Sequence, residues 1–388
     1  MNQAPNAYNN DAQAPSELQQ MITHSVQGLF AELVSPEVMA RFDAGQPVGE
    51  LWQPLVDHGL TAALMAEAAG GSAASWLEAS PILHALGYWN LPLPLSETML
   101  AGLLLSRAGL QVPEGPISLI QTGRLGDLQL SADGQLGGRC VNVPWVRTCR
   151  WAAVADCGGR IALVDLRHAG VSLTVGSNFA GEERDTLIFT SVPALAIAPL
   201  QLADVSEPVW LFGALIRACM LIGALESSLD QALAYANQRV QFGKAIGTFQ
   251  ALQQQLAQAA GSIAAARTST QIALHSASLA LSSEAGQPTS LAFDVAVAKV
   301  CAGEAATLVT SVVHQVHGAI GFTHEHSLHY STRRLWSWRD EFGSDAQWAE
   351  VLGQAAISAG SHGFWAGLTA RDLPLQTPLT RSAGHAAA

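Results

Sequence analysis

The sequence predicts an α+β protein in three parts: an N-terminal helical domain, a small central β domain and a C-terminal bundle of long helices. Three observations predict it. Apolar residues recur at helical spacing up to about residue 110, alternate between 111 and 204, and return to helical spacing over 205–370. Gly and Pro clusters mark the changeovers, and the late helical patterns are joined by short connections, which makes neighbouring helices antiparallel. Hydrophobic residues make up 49% of the 388 and charged residues only 13%, so a large core and wide subunit contacts are expected.

Residues 1–20 are rich in Asn, Gln, Ala and Pro, with neither a basic start nor an apolar run, and read as a disordered leader rather than a signal peptide. Within 21–110, Leu51, Leu55, Leu60, Leu64 and Ala68 mark one helix that Gly70-Gly71 stops. Ile82–Leu86 and Met99–Leu105 mark others, with Pro92 and Pro94 between them. Within 111–204, Asp127–Leu130 and Gln135-Leu136 flank Ala132-Asp133-Gly134 as a hairpin, and Arg160–Asp165 and Thr186–Thr190 read as strands. From 205 to 370 four or five long helices are separated by glycine-bearing corners at 243–247, 286–288, 318–321 and 342–344, and 371–388 reads as a mobile tail.

A net charge of −12 leaves no basic face for nucleic acid. The five cysteines are scattered without paired ligand spacing, which fits a reducing, cytoplasmic setting. Val209–Leu225 is the most apolar stretch, yet it carries Arg217 near its middle. A buried core helix is therefore expected and no membrane span.

Three corners carry the candidate chemistry. At the first, Arg239, Gln241, Phe242, Gly243, Phe249 and Gln250 lie between two long helical patterns, where the N–H groups of a helix start suit an anionic group such as a diphosphate. The second is Gln315-Val316-His317-Gly318-Ala319 through Phe322, with Thr323 a cap candidate for the next helix and Glu325 in its first turn. At the third, Arg339-Asp340-Glu341-Phe342-Gly343-Ser344, Ser344 and Gln347 form a capping box. Three such corners on one bundle could build one extended site for an anionic cofactor.

The order and spacing of these motifs, Arg239-x-x-Phe242-Gly243-x6-Gln250, then Gln315-x-x-Gly318-x-x-Gly321-Phe322, then Gly343-Ser344, resemble the acyl-CoA dehydrogenase family of flavoproteins over nearly the whole chain. The resemblance implies FAD as cofactor, an acyl-CoA thioester as substrate, an external electron acceptor, and α,β-dehydrogenation by proton removal and hydride transfer. It also implies that Arg239, Gln241, Phe242, Phe249 and Gln250 serve the FAD diphosphate and adenine. Gln315, Val316, His317, Gly318 and Ala319 would hold the cofactor across a subunit interface in a homo- or hetero-oligomer, and Ser344 would sit by the flavin-side phosphates.

Departures from the family pattern concern the base. The position before the third-corner glycine, where the family places it, is Phe342; the alternative position on the helix leading to Arg239 is Gly213. Glu341 is thus a displaced catalytic base or a surface acid of the Arg339-Asp340-Glu341 charged cluster. If it is not the base, the chain is a non-catalytic subunit that completes the FAD site of a homologue. No acidic, glycine-rich flavin-covering loop is present, which leaves Asn142 or Trp145 for ring contacts, and Trp336, Trp338 and Trp348 read as core anchors. His314, His317, His324, His326 and His329 crowd together, but no acid or thiolate recurs at ligand spacing and a glycine turn divides them, so no metal is expected.

Overall fold

The structure, a computed structural model, describes residues 17–200, 202, 205–282, 290–371, 373 and 375. The N-terminal part holds α1 (Glu17–Leu33), α2 (Pro36–Asp43), α3 (Trp52–Asp57), α4 (Trp76–Trp89) and α5 (Leu95–Arg107). Strands follow: β1 (Ile117–Gln121), β2 (Gln129–Leu130), β3 (Gln135–Pro144), β4 (Trp151–Ala155), β5 (Arg160–Asp165), β6 (Val171–Thr174), β7 (Arg184–Pro193) and β8 (Ala196–Pro199). The C-terminal part is α6 (Pro208–Gln238), a two-rung hairpin of β9 (Val240–Gln241) and β10 (Lys244–Ala245), then α7 (Gln250–Ser282), α8 (Leu291–His317), α9 (Leu328–Asp340) and α10 (Asp345–Ala370).

Two local expectations give way. The span expected as a leader, 1–20, includes the start of α1 at Glu17; residues 1–16, the corner at 286–288 and most of 371–388 lie outside the described residues. The single helix expected through Leu51–Ala68 is instead α3 flanked by 3-10 turns at Gly49–Leu51, Leu60–Ala62 and Glu67–Ala69. Gly59 takes φ +70° and ends the helix there.

Alternation explains the β domain. In one sheet, ordered β1-β4-β5-β8, Ile117, Leu119, Ala153, Ala155, Ile161 and Leu163 face the helical core, while Ile120, Ala152, Val154, Ala162 and Val164 face the second sheet. The second sheet, β2-β3-β7-β6, closes over them with Leu136, Leu187, Phe189 and Val192. The expected hairpin is there, with Leu130 opposite Leu136. The register between β3 and β7 slips between Cys140 and Val143, and Asn142 within that slip has φ +54°.

The bundle packs around α6. Its apolar face and that of α8 are long and apolar enough to cross a membrane, but the most apolar window of α6 is wholly buried inside the protein. Arg217 is tolerated in that interior because Glu97 on α5 pairs with it at 2.5 Å. Helices α4 and α6 cross in backbone contact: a Cβ on Gly87 would stand 1.9 Å from Met220 O, and one on Gly223 would stand 2.0 Å from His84 O. Gly223→Ala is therefore expected to cost about 1–3 kcal/mol by overpacking. Gly28→Ala on exposed α1, where a Cβ meets nothing within 4 Å, should instead be neutral or gain up to about 1 kcal/mol. Thermal melting of the two variants separates the effects.

Candidate active site and cofactor corners

A cavity of about 340 Å³ opens where the β domain meets the end of α9 and the start of α6. Its walls include Gln121, Arg124, Asn142, Trp210, Asp340 and Phe342. The bulged backbone of β3 brings Asn142 to it. Arg124 is held over the Trp210 ring at 4.6 Å and bonded to Glu207, Nε to Oε1 at 2.6 Å, so it presents a paired charge beside an aromatic face. Trp145, the other expected ring contact, is packed into the β core beside Phe42. Trp336 lines the cavity, while Trp338 and Trp348 are buried anchors.

Glu341 is on the cavity wall, but its carboxylate is not free. Oε1 accepts from Asn178 at 3.1 Å and from Arg184 Nε at 2.8 Å; Oε2 accepts from Arg184 Nη2 at 2.9 Å and from Arg217 Nε at 2.7 Å. Burial alone would push this acid up, yet the Arg184 and Arg217 guanidiniums outweigh it and hold the group at about 2. A carboxylate so stabilised is a poor proton acceptor, which weighs against a role for Glu341 as a displaced catalytic base. The same clamp also rules out the surface-acid reading, since Glu341 ties the β domain to α6. Next to it Glu182 accepts from Arg334, Arg184 and the Trp338 indole.

The two family base positions adjoin each other and neither carries an acid. A Cβ on Gly213 would stand 2.5 Å from the Phe342 ring, so the aromatic side chain fills the space an acid at 213 would need. Phe342 itself has φ +53° and lies edge-on to Trp210 at 6.2 Å. The corner is fixed from behind: Trp348 donates to Phe342 O at 3.0 Å, and the buried Lys299 ammonium donates to Arg339 O at 2.5 Å. Burial lowers the Lys299 group to about 7. Ser344 and Gln347 form the expected capping box, which uses the serine oxygen as acceptor and leaves its proton available.

At the first corner Arg239, Gln241 and Gln250 are exposed, and the Arg239 side chain makes no hydrogen bond or ion pair among the described residues. Phe242 stands 91% exposed at φ +53° on the β9–β10 turn, and Lys244 covers Phe249 at 4.5 Å. At the second corner Gln315, Gly318 and Ala319 are exposed, but Val316 and His317 are buried. The His317 ring stacks on Tyr235 at 4.7 Å with Nδ1 bonded to Val313 O, so these two offer a ligand backbone rather than side chains. Thr323 does not cap α9: it follows a 3-10 turn at Gly318–Phe322, and α9 starts only at Leu328.

The Tyr235–His317 stack places the first two corners together at the C-terminal end of α6, whereas Phe342 touches Gly213 near its N-terminal end. At 1.5 Å per residue those contacts are roughly 33 Å apart. The expectation of one site built from three corners of one bundle is corrected accordingly: within one chain they form two separate half-sites. Sequence reading missed Arg124, Asn178, Arg184 and Trp210. The only signal was the charged run Glu182-Glu183-Arg184-Asp185 in a chain otherwise poor in charge.

Comparison with known proteins agrees with this layout. The acyl-CoA dehydrogenase N-terminal domain matches residues 16–111 and the acyl-CoA dehydrogenase C-terminal domain residues 211–355. The acyl-CoA dehydrogenase IpdE2 of Mycolicibacterium smegmatis is 29% identical over 326 residues, covering 82% of this chain and 92% of that protein. FadE27 of Mycobacterium tuberculosis, also an acyl-CoA dehydrogenase, is 29% identical over 72% of this chain and 80% of its own. Among solved structures, the ChsE4–ChsE5 complex of M. tuberculosis superposes with a TM-score of 0.76 at 21% identity, over 89% of this chain and 98% of that one. The steroid enzyme Tcur3481–Tcur3483 superposes with a TM-score of 0.78 at 22% identity, over 90% and 100%.

Glu341→Gln tests the clamp. Removing the carboxylate leaves Arg184 to Glu182 and Arg217 to Glu97 alone, each a buried cation with one of its two counter-charges gone, which is expected to cost about 2–3 kcal/mol at neutral pH. Because the folded-state value of about 2 lies below the ordinary 4.5, the carboxylate's contribution is present above 4.5 and is lost as pH falls toward 2. Urea unfolding at pH 6 and again near pH 3 should show the gap between wild type and variant narrowing on acidification.

Proposed function

Because this chain belongs to the acyl-CoA dehydrogenase family, we propose that it works in an FAD-dependent oxidoreductase that desaturates an acyl-CoA thioester between its α and β carbons. The observation that carries the reading is the pair of half-sites at opposite ends of α6, one a cavity with an aromatic wall, the other a corner with an exposed guanidinium. Bound FAD would take up hydride from the β carbon and pass electrons to an external acceptor.

The residues present fit that cofactor. The Trp210 and Phe342 faces and the Asn142 backbone suit a flat, conjugated ring, and the cavity is of the size usual for small-molecule sites. Arg239, Gln241 and Gln250, with the exposed Gly318 and Ala319 backbone, suit a diphosphate and an adenine. The Ser344 hydroxyl supplies one further donor near the cavity. Since one chain's half-sites are too far apart to share a dinucleotide, the site is assembled between subunits, with Arg239 of one chain facing the cavity of another.

A second reading of the chain's role within the enzyme rests on Phe342 packed against Gly213 and on the clamped Glu341. This chain then lends its Arg239 and Gly318 corners to a homologous partner, and the partner supplies the cavity and the carboxylate that removes the α proton. The heteromeric neighbours ChsE4–ChsE5 and Tcur3481–Tcur3483 support that arrangement. The cell compartment in this reading is the cytoplasm.

Visible spectra decide between the two shares. The chain is purified alone and, separately, co-expressed with a homologue bearing a carboxylate at the Phe342 position. Each preparation then receives straight-chain and steroid-type acyl-CoA thioesters without oxygen. The chain alone should hold little flavin and show no bleaching, while the pair should be yellow and bleach with at least one thioester. Complete bleaching by the chain alone would place the base on it. In the pair, Arg239→Ala is expected to weaken FAD retention roughly tenfold to a hundredfold, the scale of one charge-assisted contact.

A further inference from the structure

The histidine-rich turn before α9 has a partner that spacing along the chain does not reveal. Asp43, the last residue of α2, lies against it: its Oδ2 is 3.7 Å from His324 Nδ1. His329, in the first turn of α9, completes the group, and one ligand atom from each of the three lies within 4.8 Å of the others. His329 Nδ1 sits 2.7 Å from His326 O, which places the proton on Nδ1 and leaves the lone pair on Nε2. That nitrogen is buried and has no partner among the described residues, on a residue only 9% exposed. An orphaned buried acceptor calls for an occupant.

We propose that Asp43, His324 and His329 form a binding site for a zinc-class divalent cation at the seam between the N-terminal helices and the bundle. Two imidazoles and one carboxylate are the borderline donors that zinc takes, with water completing the tetrahedron, and they do not suit the all-oxygen preference of calcium or magnesium. A ring nitrogen whose other N–H is committed to a backbone carbonyl is the usual arrangement for a metal-ligating histidine.

Arg333 holds the other Asp43 oxygen at 2.5 Å and is itself anchored on Phe179 O at 2.9 Å. It orients the carboxylate but also competes electrostatically with the cation, which sets the affinity below that of a structural zinc finger. His324 is 86% exposed and moves at little cost. Its movement closes the group to the separations of roughly 3.3 Å that metal bonds of about 2.0–2.1 Å require.

The test uses the full chain without an affinity tag, stripped with chelator and titrated with Zn²⁺ by calorimetry, with melting curves recorded in parallel. One equivalent is expected to bind at micromolar affinity and to raise the melting temperature. His324→Ala, which removes an exposed side chain, should weaken binding at least tenfold and abolish the thermal shift. His326→Ala keeps the His326 carbonyl and should retain both. Absence of binding, equal binding by wild type and His324→Ala, or loss of binding in His326→Ala alone would each overturn the proposal.

Discussion

Four donors converge on the Glu341 carboxylate, and the arrangement of the molecule depends on them. Asn178 and Arg184 come from the β domain and Arg217 from the bundle core, and Arg217 in turn carries Glu97 from the N-terminal helices. A buried ion pair adds little over an apolar replacement of the same shape, but loss of one partner leaves an uncompensated charge in low dielectric. The cluster therefore specifies how three parts fit rather than how tightly each holds. The cavity lies directly against this junction, so its walls have little freedom to drift.

The chemistry follows from what surrounds the clamp. A carboxylate with four donors is settled as an anion and has no reason to take a proton, whereas an acid poised for proton abstraction needs an environment that disfavours its charge. The chain has placed apolar matter or glycine at both positions where the family resemblance puts the base, and the two choices depend on each other. With Phe342 in place, position 213 has room for no side chain, and a carboxylate restored there would first require the phenyl ring to leave.

Much of this was legible along the chain because it is local. The Ser344–Gln347 box, the Leu130–Leu136 hairpin, β5 at Arg160–Asp165 and the glycine corners all follow from residues within a few positions of one another. The span around Leu51–Ala68 misled because its apolar spacing suits a helix while Gly59 interrupts the backbone, and periodicity does not weigh the two. The partners of Glu341 were out of reach for another reason: Arg184 is 157 residues away and Arg217 is 124. Arg217 did announce that a buried counter-charge must exist, without naming it. The separation of the corners was likewise hidden, since it follows from the unbroken length of α6 and not from any motif.

That unbroken helix has a consequence for how the protein behaves on dilution. In the proposed assembly, a cofactor gripped at its ring by one subunit and at its phosphates by another would be retained only while the two remain together, so dissociation of subunits and loss of colour would be a single event. Cofactor occupancy would then rise steeply with protein concentration, and for an unequal pair it would be capped by whichever chain is scarcer. In that assembly the rigid length of α6 would make the supply of one polypeptide a control on the activity of another.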